Sequence, residues 1–168
     1  EILSQLKPAF KPDGVITAGN SSQISDGAAA LLLVSEDILN KFNLEPIAKI
    51  KSMAVVGTDP VLMLSGPIPA TRKALDQAKL KPEDINLAEI NEAFSSVVGA
   101  WRKEFPEINY ENVNANGGSI AIGHPLGATG ARLMTNLIHE MKRNKLKYGL
   151  QAICEGGGTA NATIVELV

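Results

Sequence analysis

The C-terminal stretch ARLMTNLIHEMKRNKLKYGLQAICEGGGTANATIVELV, Ala131–Val168, carries the decisive fold signal. Met134, Leu137, Ile138 and Met141 recur at i, i+3, i+4 and i+7, which predicts an amphipathic helix over Ala131–Arg143. Leu150–Cys154 and Ala162–Val168 then form two strand-like runs joined through Gly156-Gly157-Gly158, the pattern of a hairpin or tight return. A helix feeding an antiparallel strand pair reads as one end of an α/β sheet.

The same alternation extends upstream. Ile47–Val56 reads as a strand ending at Gly57, Ala70–Leu80 as a helix stopping near Pro82, and Leu87–Ile90 as a short strand. Asn91 is placed to cap a helix over Glu92–Glu104, because its side-chain oxygen can accept an orphan N–H of the first turn. Val113–Ala115 reads as strand and Asn116–Gly130 as a glycine-dense loop. Further back, the uncharged run Ala28–Val34 has the composition of a strand covered on both faces, and Ser35 is placed to cap a helix through Phe42. Glu1–Asn20, punctuated by Pro8, Pro12, Gly14 and Gly19, reads as an ordered loop with one short extended piece at Val15–Ala18. The expectation is a layered αβα domain whose mixed sheet closes on an antiparallel pair.

Composition narrows the function classes. Of 168 residues, 45% are hydrophobic and 20% charged, with 16 Lys+Arg against 18 Asp+Glu, so there is no basic footprint for nucleic acid or anionic lipid. The longest apolar run, Ala28–Val34, is far below the roughly 20 residues that a membrane span needs. A single cysteine, Cys154, cannot form an internal disulfide or a Cys-only zinc site, so no metal is expected. It points to a reducing compartment, the cytoplasm or an organelle matrix. The chain begins at Glu1 with no basic or apolar leader pattern, which reads as a start partway through something longer or as a processed end.

Polar residues gather at Asn20–Gly27, Asn91–Phe94, Asn116–Arg132 and Cys154–Asn161, junctions where α/β folds place their sites. The third is not a nucleotide loop: Gly118 and Gly123 have phosphate-loop spacing, but His124 stands where lysine belongs. Gly123 and Pro125 instead restrict the backbone around His124, as suits a proton-transferring imidazole. Cys154 precedes three glycines whose N–H groups could bind an oxyanion or lower the thiol pKa, although on the residue alone a small buried hydrophobe is the better reading. His139 projects from the polar side of its helix.

Asn91-Glu92-Ala93-Phe94, the run Asn116–Arg132 containing Gly123-His124-Pro125-Leu126-Gly127, and Cys154-Glu155-Gly156-Gly157-Gly158 resemble, in order and spacing, three C-terminal signatures of thiolases. Asp13–Ala30 and Gly66-Pro67-Ile68-Pro69-Ala70 resemble further stretches of that family, which includes the acetyl-CoA acetyltransferases and 3-ketoacyl-CoA thiolases. The resemblance implies the C-terminal half of a fold made of two similar α/β halves, with residues 1–25 the tail of the CoA-binding loop region and 26–168 the C-terminal domain. It implies reversible acyl transfer to coenzyme A through two thiols and an imidazole, with CoA thioesters as substrates and no separate cofactor. Carried over by position, His124 activates the nucleophilic thiol and Cys154 is the acid/base thiol. Asn91 holds a water of one oxyanion hole, and the N–H of Gly156 contributes to a second. Phe10, Ala18, Ser22, Met63 and Phe94 match positions lining the pantetheine arm.

The departures matter. The family's nucleophilic cysteine belongs to the N-terminal half, and this chain has only Cys154. Gln23 and Leu64 replace usual glycines, and Thr159-Ala160 replaces a frequent methionine-glycine pair. The primary expectation is the C-terminal part of a thiolase that forms a homo-oligomer, dimer or tetramer, when complete. The alternative is a non-catalytic half-domain subunit binding CoA or a partner chain. A decarboxylating condensing enzyme fits less well, because such enzymes do not place cysteine where Cys154 stands.

Overall fold

The computed structural model describes residues 1–168. Its regular elements run α1 (Glu36–Phe42), β1 (Ala48–Gly57), α2 (Pro67–Ala78), β2 (Leu87–Ile90), α3 (Ser95–Glu104), α4 (Ser119–Ile122), α5 (Thr129–Asn144), β3 (Tyr148–Cys154) and β4 (Thr159–Leu167). The four strands form one mixed sheet in the order β1-β4-β3-β2. β4 pairs antiparallel with both β1 and β3, while β2 lies parallel to β3.

Alternation along the strands assigns the two faces. Ala88 and Ile90 of β2, Leu150 and Ala152 of β3, and Ala160, Ala162 and Ile164 of β4 pack with Ala70, Ala74 and Leu75 of α2 and Val98 and Trp101 of α3. On the opposite face Leu87 and Val165 meet Leu137 and Met141 of α5. The result is helices, sheet and helix in three layers, the αβα arrangement expected from the sequence. Small residues let α2 approach the sheet, and Trp101, 1% exposed, fills the space beside it. Its indole Nε1–H donates to Thr71 Oγ1 at 3.0 Å, so the core accommodates that polar atom. Across the sheet, a methyl on Gly149 would collide with the Met141 sulfur and Leu137, so the glycine sets how closely α5 can sit.

Element ends follow local chemistry. Ser35 caps α1 by accepting the Ile38 N–H, with Glu36 and Asp37 in the first turn, as anticipated. α2 begins three residues earlier than the apolar spacing indicated, because Pro67 occupies the first turn, where its missing N–H costs no hydrogen bond. α1, α2 and α5 end on Asn43, Lys79 and Lys145, each in the left-handed conformation at φ +48°, +56° and +55°.

Three expectations are corrected. Ala28–Val34 is not a strand: it has no ladder partner, and Leu32 and Leu33 remain 79% and 73% exposed. Asn91 does not cap a helix over Glu92–Glu104; α3 begins only at Ser95 after Phe94, and the Asn91 side chain turns inward to Ser119 instead. Val113–Ala115 shrinks to one parallel bridge between Val113 and Ala88. Asn114 explains that loss, because its side chain takes the place of a strand edge by accepting from Ile90 N and donating to Ile90 O, at 2.8 and 2.9 Å.

Candidate active site

The C-terminal ends of parallel strands β2 and β3 open toward the same side of the sheet, and each delivers one polar residue just where the ladder stops. Asn91 follows Ile90, with its backbone N–H still held by the Ala152 carbonyl at 3.0 Å, and Cys154 ends β3. Both are buried, Asn91 to 1% exposure. Burial pushes the Cys154 thiol above its ordinary pKa, and the neighbouring Asn91 amide pulls partly against that shift. Of the two readings the residue allowed, the buried one fits: desolvation dominates over any help from the glycine N–H groups, and the resting group is the neutral thiol.

Beyond Cys154 the chain makes a turn that only glycine accepts readily. Gly157 and Gly158 have φ of +78° and +86°, and a Cβ on Gly158 would come within 2.7 Å of the Thr58 carbonyl. The turn is closed by Glu155, whose carboxylate accepts from Thr159 Oγ1 at 3.0 Å and Asn161 Nδ2 at 2.6 Å. Gly156 itself is exposed, with open space where a side chain would stand.

His124 arrives from the loop before α5. Its backbone N–H donates to Gln23 O at 2.7 Å, which fastens the N-terminal segment to the site. Its Nδ1 lies 2.7 Å from Thr129 Oγ1, and that hydroxyl donates its one proton to the Pro125 carbonyl at 3.0 Å. With the hydroxyl proton on Pro125 O, Thr129 accepts, Nδ1 carries the hydrogen and Nε2 keeps a lone pair. Burial first, and the Arg132 guanidinium second, hold this imidazole below its usual pKa. It is a neutral, oriented base.

A buried network joins these pieces. Ser119 Oγ reaches Asn91 Oδ1 at 2.9 Å, and Arg132 Nη2 reaches both Ser119 Oγ and the Gly123 carbonyl, each at 3.2 Å. Glu92 accepts from Asn114 Nδ2 and from the Ile120 N–H, pinning α4 across the site. The structure thus brings Asn91, His124, Cys154 and Gly156 to one end of the sheet. Sequence reasoning assigned no role to Ser119, Arg132 or Thr129. No spacing rule would have found them, because their partners lie on other loops or turn on a hydroxyl's proton.

The five residues matched to the pantetheine arm divide. Phe10 meets Phe94 edge to face with ring centres 5.3 Å apart, Ser21 bridges Phe94, and the Ser22 N–H donates to Ala93 O at 3.1 Å. Ala18, exposed, opens the short turn Ala18–Asn20 directly before them, capped by Thr17. Met63 stands apart on the loop after β1, at φ +52°. That loop is tied to the glycine turn by the Thr58 N–H and hydroxyl, both donating to Gly158 O at 2.7 and 2.9 Å.

Sequence and fold both match known proteins. A model of the thiolase C-terminal domain matches residues 44–167, and one of the thiolase N-terminal domain matches 1–37. The steroid 3-ketoacyl-CoA thiolase FadA6 of Mycobacterium tuberculosis is 52% identical over 166 residues, covering 99% of this chain and 40% of that protein. The crystal structure of the Bacillus anthracis acetyl-CoA acetyltransferase superposes with a TM-score of 0.95 at 45% identity, over 99% of this chain and 42% of that one. Human mitochondrial 3-ketoacyl-CoA thiolase in complex with CoA superposes with a TM-score of 0.89 at 37% identity, over 98% and 42%. The chain therefore spans about two fifths of the length of these relatives.

Proposed function

The chain belongs to the thiolase family, and from that premise we propose that it is the C-terminal portion of an acyltransferase that moves acyl groups reversibly to coenzyme A. The reaction is thiolysis of a 3-ketoacyl-CoA, or in reverse the condensation of two acetyl-CoA molecules. The observation that supports this reading is the side-chain network Asn91–Ser119–Arg132–Gly123, which ties the strand ends carrying Asn91 and the buried thiol Cys154 to the loop carrying His124. Residues 1–25 with Phe94 form the apolar approach for the pantetheine arm, Met63 supplying a further contact from its own loop. The chain holds one cysteine, so the acyl-accepting thiol comes from the N-terminal half, the partner that completes the site.

His124 Nε2 takes the proton of that nucleophilic thiol as its sulfur attacks the 3-keto carbon. The resulting oxyanion is met by the imidazole and by a water held on Asn91. As the C–C bond breaks, Cys154 gives its proton to the departing α-carbon, and the thioester enolate is steadied by the Gly156 N–H. The acyl group is left as a thioester on the nucleophilic cysteine, from which CoA removes it. Condensation runs the same proton transfers backwards, with the Cys154 thiolate as base. A role in fatty acid metabolism, in the cytoplasm or an organelle matrix, and a dimeric or tetrameric complete enzyme belong to the same proposal. No helix of the chain is long and apolar enough to cross a membrane.

The test is acetoacetyl-CoA thiolysis, followed as loss of the substrate's enolate absorbance, with the chain alone and with it joined to a thiolase N-terminal half. The expected result is turnover only in the joined protein, reduced by at least about 10³-fold in His124→Ala and Cys154→Ala. A joined protein that binds CoA but never turns over would favour the half-domain reading, and full activity in Cys154→Ala would remove the role given to that thiol.

A further inference from the structure

Arg132 sits in the first turn of α5, beneath the site, and touches neither Cys154 nor the His124 ring by hydrogen bond. Both hydrogens of its Nη2 are used, one on Ser119 Oγ and one on the Gly123 carbonyl. Ser119, at 0% exposure, lies between Arg132 and Asn91. A guanidinium can only donate, so Ser119 Oγ is the acceptor in the first contact, and its single hydroxyl proton goes to Asn91 Oδ1. The Asn91 carbonyl is thereby occupied by Ser119. Its Nδ2 is buried and makes no hydrogen bond, and the Asn91 side chain lies close enough to Cys154 to act on its thiol, so the amide nitrogen is the end free to serve the sulfur.

We propose that Arg132 and Ser119 are positioning residues that fix the polarity of the Asn91 amide, so that an N–H donor rather than a C=O acceptor faces the reacting centre. The inference deepens the acyl-transfer reading and rests on Asn91 and Cys154 sharing that site. The chemistry asks for this choice of end. A donor stabilises a thiolate or an oxyanion, whereas a carbonyl in the same place repels both. An asparagine amide is nearly symmetric in shape, so packing alone does not select between its two orientations. The choice requires a partner with a proton to give and nowhere else to give it, and Ser119, which accepts from Arg132 and has no other acceptor than Asn91 within reach, is such a partner. Thr129 plays the matching part for His124: with its hydroxyl donating to Pro125 O, it accepts from Nδ1 and the ring presents a lone pair at Nε2. The other charged groups around these residues are Glu155 next to the thiol, and Glu89 and His124 beside the guanidinium, with Glu92 and Glu140 acting in turn on Glu89.

Because Cys154 is the only cysteine, its alkylation by iodoacetamide reads this device without any turnover. The rate is measured against pH in the 168-residue chain and in Ser119→Ala, Arg132→Met and Arg132→Lys, with circular dichroism to establish that each is folded. In Ser119→Ala the amide is free to turn its carbonyl toward the sulfur. The midpoint of the alkylation profile should then rise by about one pH unit, an about tenfold loss of rate below the midpoint. Arg132→Met should shift it in the same direction, and Arg132→Lys, which keeps a donor for Ser119, should recover most of the loss. Loosened packing alone would raise the rate at every pH and leave the midpoint in place. An unmoved midpoint in Ser119→Ala overturns the proposal, and a lysine variant no better than the methionine variant removes Arg132 from it. A positive result stands even if the joined protein proves inactive in thiolysis, so the two readings fail separately.

Discussion

Leu87–Ile90 contains a carboxylate, Glu89, yet all four of its residues are buried; Ala28–Val34 contains no charge at all, yet Leu32 and Leu33 lie open to solvent. Hydrophobicity does not separate the two. What separates them is hydrogen-bonding company. β2 lies parallel to β3 along its whole length and is flanked on its far side by Val113 and the Asn114 amide. Ala28–Val34 has no strand beside it, and a strand is defined by its neighbour rather than by its own side chains. An apolar run states what a segment needs covered, and only the surrounding chain decides whether it is covered. The N-terminal thiolase model, which matches through residue 37, includes this run.

Four measurements would break or sharpen that contrast. The largest effect is expected on the packed side: Trp101→Ala should cost about 3–5 kcal/mol of unfolding free energy in urea titration, against about 0.5 kcal/mol or less for Leu33→Ala. Similar losses at both sites would mean that Ala28–Val34 is buried in solution. Next, amide hydrogen exchange should be slower by about 10³-fold in Leu87–Ile90 than in Ala28–Val34. Supplying a thiolase N-terminal half should slow the second segment selectively, and a segment that stays fast in the joined protein would deny it a role in that contact.

Glu89 makes a third test inside the buried strand. Burial raises its pKa from 4.5 to about 8, outweighing the nearby Arg132 charge, and its Oε2 has no hydrogen-bond partner. The folded chain therefore holds a proton that the unfolded chain releases. Its stabilising share is complete at low pH and is lost as pH climbs from about 4.5 to about 8, by up to about 1.4 kcal/mol per pH unit. Glu89→Gln should flatten that slope in pH-dependent urea titrations; an unchanged slope would locate the titration elsewhere. The smallest effect is at the end of the exposed run. Ser35→Ala removes the cap of α1, which contributes no buried residue, and should cost only about 0.5 kcal/mol. A loss above about 2 kcal/mol would show α1 to be docked rather than exposed.

How far the sequence could be read follows from the range of the forces involved. α1, β1, α5, β3 and β4 were legible to within a few residues because periodicity, caps and glycine turns act over short stretches. The glycine neighbours of His124 and Cys154 likewise drew attention to both from local pattern. Asn91 misled for the opposite reason: it has the composition of a cap, but its oxygen is claimed by Ser119, 28 positions away. Ser119, Arg132 and Thr129 lie inside the glycine-rich run that carries the family resemblance, and still nothing local distinguished them from packing residues. Glu89 was the one missed group with a visible signal, a lone carboxylate in a short apolar strand two residues before Asn91.

The three helices that end on Asn43, Lys79 and Lys145 place residues with a Cβ where glycine is the relaxed choice. For the two lysines that conformation costs about 1 kcal/mol each. Neither residue is near the strand ends that hold Asn91 and Cys154, so the cost has no counterpart in the chemistry. It is tolerance for future change. A glycine at either position would raise the melting temperature by several degrees and allow the domain to absorb a destabilising substitution at the site without falling below the threshold for folding.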